Sequence, residues 1–147
     1  MKRSFETIQV REVMTDSPVS VRADDSLQRA LDLIDKHQVH ELPVLESGRC
    51  IGIVTAGDLK LLTPAYPLFP VQEDVRQALH ELKVATAMTI EPETISPEAS
   101  VLEAVKRLHQ LRIESLLVTE GDKLLGVLSV SDILRLVIAE YEPPQTD

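Results

Sequence analysis

Apolar and polar positions follow one pattern along the first half of the chain and repeat it in the second. Over 26–34, Leu27, Ala30, Leu31 and Ile34 recur at helical spacing, which predicts an amphipathic helix. Over 100–108, Val101, Ala104, Val105 and Leu108 do the same. Each predicted helix follows a short extended segment, carrying Val19 and Val21 in one half and Thr94 and Ile95 in the other. Aliphatic runs at 42–45 and 50–54, separated by Glu46-Ser47-Gly48-Arg49, predict two strands joined by a hairpin turn. Their counterparts lie at 116–119 and 124–128, with the turn at Gly121-Asp122. A last helix is expected after GIVTAGD (52–58) and again after GVLSVSD (126–132). Each half therefore reads β-α-β-β-α, and the fold class is α+β.

The register of the repeat is constant. Met14 and Met88, Gly52 and Gly126, and Asp58 and Asp132 are all 74 residues apart, with no gap between them. Such an offset is too long for a solenoid unit, and two copies are too few for an array. The pattern describes a small domain present twice, each half resting on the other. Between the halves, TPAYPLFP (63–70) carries three prolines and forbids a regular helix. Then VQEDVRQALHEL (71–82) predicts a short helix with Val71, Val75, Ala78, Leu79 and Leu82 on one side.

Composition narrows the class. The chain has 147 residues, 44% of them hydrophobic but only 3% aromatic, so the core must be aliphatic. No apolar run is long enough for a membrane span, and the start has no signal-peptide core, which points to a soluble cytosolic protein. The single cysteine, Cys50, excludes an internal disulfide framework and reads as a small core residue. The formal net charge is −9 and the basic residues are scattered, which argues against nucleic acid as a partner. A small anion remains compatible, since it needs only a local set of donors.

The candidate chemistry sits in Thr55-x-x-Asp58 and Ser129-x-x-Asp132. A hydroxyl residue followed three positions later by an acid fits a capping box at a strand-to-helix junction. The same geometry can face a ligand. A helix N-terminus offers unpaired N–H groups and partial positive charge to a phosphate, and an Asp one turn in can accept from a ribose diol. Gly52 and Gly126 would admit a ligand or the sister strand at close range. Cap and grip are compatible roles for one residue.

The set MT-x-x-P, LPVLE and G-h-h-T-x-x-D, present twice in order, resembles the cystathionine β-synthase (CBS) domain, and two in tandem resemble a Bateman module. The resemblance implies a first CBS domain over 8–63, a proline-rich connector with a short helix over 64–82 and a second CBS domain over 83–140, packed with pseudo-two-fold symmetry. The connector also faintly resembles that of acetoin-utilisation-type CBS proteins. Members of the family bind adenosine-containing ligands (AMP, ADP, ATP, S-adenosylmethionine or NAD(H)) in clefts between the two domains. By resemblance, Asp58 and Asp132 would hold ribose hydroxyls and Thr55 and Ser129 would lie at the phosphates. Val21 and Ile53, with Ile95 and Val127, would line the adenine. His40 stands where basic or polar residues are common in the family, whereas its counterpart is Glu114, which would repel phosphate, and Pro43 is answered by Leu117. Lys60, Arg22 and Arg135 are candidates for neutralising phosphate. The family also implies a homodimer and regulation in trans of an unknown effector protein.

Other positions imply less. Met14 and Met88 with their threonines read as packing plus a cap. His37, His80 and His109 have no partner at ligand spacing, so no metal is expected. With no nucleophile–base constellation and no P-loop, and with a duplicated binding motif, the chain reads as a sensor and not an enzyme. The alternative is a structural or partner-binding scaffold whose two motifs are caps only. In the last helix, Val130, Ile133, Leu134, Leu136, Val137 and Ile138 make an apolar surface wider than one stripe, which suggests two buried faces and self-association.

Overall fold

The computed structural model of the chain describes residues 3–62 and 73–142; the side chains of residues 60–62 and of Asp74 are outside the description. The proline-rich stretch 63–72, Val71 included, and the end of the tail therefore lie outside the described residues. Eight strands and five α-helices are formed by the described residues. They are β1 (Thr15–Asp16), β2 (Val21–Arg22), α1 (Leu27–His37), β3 (Glu41–Glu46), β4 (Arg49–Thr55), α2 (Ala56–Leu62) and α3 (Glu73–Glu81), then β5 (Thr89–Ile90), β6 (Thr94–Ile95), α4 (Val101–Leu111), β7 (Ser115–Glu120), β8 (Lys123–Ser129) and α5 (Val130–Tyr141). The β-α-β-β-α order of each half is present.

The chain forms two compact units whose boundaries do not follow the repeat. The first unit is Val19–Pro92; the second joins Met1–Pro18 to Glu93–Asp147. The first holds the sheet β2-β3-β4-β5 and the second the sheet β1-β8-β7-β6. In each, one parallel pair (β2 with β3, β6 with β7) is followed by antiparallel pairing. The outer strands β1 and β5 were not expected from the pattern. Each is two residues long with both residues exposed, so it carries no alternation to read. Each MT segment thus completes the sheet of the other repeat. The exchange is anchored by matching backbone bonds: Val10 N–H to the Ala99 carbonyl (2.8 Å) in the second unit, Val84 N–H to the Asp25 carbonyl (2.8 Å) in the first.

Local chemistry explains the elements. Ser26 caps α1 by accepting from the Arg29 amide, and Ser100 caps α4 by accepting from the Glu103 amide. Both helices end on a left-handed residue, Gln38 (φ 53°) and Arg112 (φ 55°), 74 residues apart like the caps. The β3–β4 turn places Ser47 and Gly48 at positive φ, the type I′ arrangement that matches strand twist. Leu27, Ala30, Leu31, Leu42, Val44 and Val54 build the first core. Val10, Ala104, Leu108, Leu116, Val118 and Leu128 build the second. The stripe expected over 71–82 is narrower than its spacing suggests: Leu79 is buried in the first core, while Val75 and Leu82 are exposed.

Candidate functional site

Both Thr/Ser-x-x-Asp motifs form at a strand-to-helix junction, and both are complete capping boxes. The Thr55 hydroxyl accepts from the Asp58 amide (3.0 Å) while the Asp58 carboxylate accepts from the Thr55 amide (3.1 Å). In the second unit the Asp132 amide donates to Ser129 Oγ (3.3 Å) and the Ser129 amide to Asp132 Oδ2 (2.9 Å). The first helical amide is also taken: Ala56 N–H donates to the His40 carbonyl (2.7 Å) and Val130 N–H to that of Glu114 (2.9 Å). His40 thus contributes its backbone to the junction, and its side chain is exposed.

The glycines of the motif serve the exchanged strands. Gly52 lies opposite Ile90 on β5, and Gly126 opposite Asp16 on β1. A Cβ on Gly52 would sit 2.7 Å from the Thr89 carbonyl oxygen; on Gly126 it would sit 2.6 Å from that of Thr15 and 2.8 Å from Met14 Sδ. The sister strand, one of the two visitors expected there, is what approaches. Met14 and Met88 pack against the two cores as expected.

The two acids differ in their surroundings. Asp132 is a buried polar residue, 3% exposed, whereas Asp58 is only partly buried. Asp132 Oδ2 accepts from the Ser129 amide and from Ser129 Oγ (3.1 Å). Its Oδ1 accepts from Thr15 Oγ1 (3.2 Å) and from Arg135 Nη1 (2.9 Å). Thr15 does not act as a cap; it reaches across from β1 to the motif acid. That role escaped the sequence reading because β1 pairs with the other repeat. The duplicated MT dipeptide was the available signal.

The strand residues expected around an adenine do not share a surface. Val21 pairs with Val44 and Val44 with Gly52, and Val21 is buried in the first core. Ile53, the next residue after Gly52, faces the opposite side of the sheet, as Thr55 does. In the second unit Ile95 is likewise in the core, while Val127 shares the other face with Leu117, Thr15 and Ser129. The structure therefore groups Ile53 with Thr55 and Asp58, and Val127 with Ser129 and Asp132. It leaves Val21 and Ile95 behind the sheet, where they support it.

Of the candidate phosphate partners, Arg22 pairs with Leu45, at the far end of β3 from Glu41, which faces Thr55. It is bonded to Asp24 there (3.5 Å) and stands away from the motif. The Lys60 side chain lies outside the described residues. Arg135 remains, on the motif acid itself. Cys50 is half-buried, its Sγ against the Gly52 carbonyl, and burial pushes its thiol pKa up. No group of three or more His, Cys, Asp or Glu side chains that could hold a metal occurs among the described residues, and no described helix is long and apolar enough to cross a membrane.

Two mixed α/β units, each with a hydroxyl–acid box at a strand-to-helix junction and an edge strand from the other repeat, define a duplicated two-unit module. The CBS domain model matches residues 10–65 and 81–139, and the chain belongs to the CBS domain family as a tandem pair. A CBS domain-containing protein of Dictyostelium discoideum is 32% identical over 136 residues, covering 91% of this chain and 94% of the relative. Other relatives are much longer. A zinc metalloprotease of Methanocaldococcus jannaschii is 27% identical over 89% of the chain, which spans 32% of that enzyme. The fold matches a putative acetoin utilization protein (AcuB) of Vibrio cholerae (TM-score 0.75, 22% identity, 94% of this chain and 99% of that one). It also matches CBSX2 in complex with AMP (TM-score 0.77, 22% identity, 92% and 99%) and the CBS domain of a bacterial CNNM/CorC family Mg2+ transporter in complex with ATP (TM-score 0.72, 22% identity, 91% and 89%). The family is a regulatory one, and its members that are enzymes carry catalysis in other domains.

Proposed function

We propose that the chain is a ligand-sensing regulatory module that binds adenosine-containing nucleotides at its Thr/Ser-x-x-Asp junctions and acts in trans on a separate effector. The observation that carries this reading is the site geometry: an acid and a hydroxyl residue held rigidly at a helix start, beside one apolar strand residue (Ile53 or Val127), in a family whose solved members include AMP and ATP complexes. Asp58 and Asp132 hold ribose hydroxyls. Thr55 and Ser129 stand where phosphate meets the helix N-terminus. His40 lies beside the first site, on an exposed strand start. AMP, ADP or ATP fits this arrangement, as does S-adenosylmethionine or NADH through the same ribose contact, and no cofactor is required. The exposed apolar residues of α5 are covered by a second copy in a cytoplasmic homodimer.

A scaffold without ligand is the second reading, and one observation favours it: both acids are engaged in the capping boxes of their own helices. Isothermal titration of AMP, ADP, ATP, S-adenosylmethionine and NADH into nucleotide-free protein, beside Asp58→Ala and Asp132→Ala, separates the two. The sensor gives saturable heat that one substitution weakens at least tenfold, a loss of about 1.4 kcal/mol. Absence of heat from folded protein leaves the scaffold.

A further inference from the structure

In the second unit the motif acid has already been bound by its own chain. A carboxylate offers about four lone-pair directions. Asp132 has four donors on it: the Ser129 amide and hydroxyl, the Thr15 hydroxyl and the Arg135 guanidinium. A ribose diol can reach this acid only by displacing one of them. The Ser129 amide belongs to the helix cap, the Ser129 hydroxyl is held there by the Asp132 amide that donates to it (3.3 Å), and Thr15 is fixed on β1, opposite Val127. Arg135 is the donor that can leave. Its side chain is 72% exposed on a long flexible stem, so its guanidinium returns to water at small cost, while its carboxylate partner is 3% exposed. The corresponding position of the first repeat holds Leu61, which has no donor to offer.

We infer that Arg135 is an internal plug of the second site, and that it makes this site selective for a phosphorylated ligand. The inference rests on the nucleotide-binding reading above. Helical side chains lean toward the N-terminus of their helix, which is how Arg135 meets an acid three residues before it. Released from Asp132, the guanidinium remains over the start of α5, where a phosphate would lie. A nucleotide that takes the carboxylate gives Arg135 a phosphate in exchange. A nucleoside takes the carboxylate and gives nothing back. The second site therefore discriminates a nucleoside monophosphate from its nucleoside, and the first site, lacking this arginine, discriminates less by this route.

The test is calorimetric titration of the intact protein with AMP and with adenosine, in the wild type, Arg135→Leu and Arg135→Lys. Both substitutions are at an exposed side chain. Loss of one charge-assisted bond is expected to be worth about tenfold in affinity. At the weaker of the two sites, Arg135→Leu tightens adenosine about tenfold, and AMP loses most of its advantage over adenosine. Arg135→Lys, which keeps the charge, retains the preference for AMP. Unchanged adenosine affinity in Arg135→Leu, beside normal AMP binding to the wild type, overturns the plug and leaves the nucleotide reading intact. If wild type and both variants bind neither ligand, both readings fall together.

Discussion

Asp58 and Asp132 occupy the same position of the same motif, 74 residues apart, yet one is half-open and the other is closed in. The difference does not come from the motif. It comes from outside it: an arginine one turn further along α5 where the first repeat has Leu61, and the bond to the acid made by Thr15 on β1, whose counterpart Thr89 stands opposite Ile53 on β5. A duplicated binding motif is thus a duplicated scaffold, and the occupant of each copy is decided by neighbours that the duplication left free to diverge. Glu114 in place of His40 pushes the same way, adding a negative charge beside the second junction.

The comparison can be broken most violently at the glycines that both units need. Gly126→Ala and Gly52→Ala each set a methyl against a backbone carbonyl, at 2.6 and 2.7 Å. Overpacking of this kind costs about 1–3 kcal/mol, or more where the backbone cannot yield. Chemical denaturation should show both losses, with Gly126→Ala at least as large; a variant as stable as wild type would mean that the edge strands are loosely held. Next in size is the contrast between the acids. Asp132→Ala removes a buried acceptor of four bonds and should cost about 2–3 kcal/mol, while Asp58→Ala loses chiefly a cap, worth about 1 kcal/mol. Equal losses in a urea melt would argue that the environments are alike.

Smaller effects sharpen the picture. Leu134 and Ile138 are 57% and 59% exposed on α5. Leu134→Glu with Ile138→Glu should leave the melting temperature of the isolated chain little changed but hold it at the 16.3 kDa monomer mass in sedimentation; a dimer that persists would place the interface elsewhere. Replacing the left-handed Arg112 by glycine should stabilise by about 1 kcal/mol, by relieving a strained helix end. Cys50 gives the smallest signal. Its thiol pKa is raised by burial, so the folded state favours the neutral form. That contribution is whole below the unfolded-state pKa and is lost as pH rises through the folded one. Cys50→Leu, the residue of the other repeat being Leu124, should flatten the alkaline end of the stability profile.

The repeat made most of this fold legible. Helical spacing found α1 and α4, paired aliphatic runs found both hairpins, and the constant offset tied the halves together. The exchanged strands were not legible, because Thr15–Asp16 and Thr89–Ile90 are too short and too exposed to carry a period. Missing them concealed Thr15 as a partner of Asp132. Val21 and Ile95 are turned into the cores by the pairing of β2 with β3 and of β6 with β7. Arg135 could be named from sequence as a cation near the motif; only the bond to Asp132 shows that it faces the acid.

The most direct test of the unequal sites is an amide chemical-shift titration with AMP. The Thr55–Asp58 amides should move at lower AMP concentration than the Ser129–Asp132 amides, with the Arg135 side chain shifting alongside the second set. Both sets moving together, or the second moving first, would contradict the account.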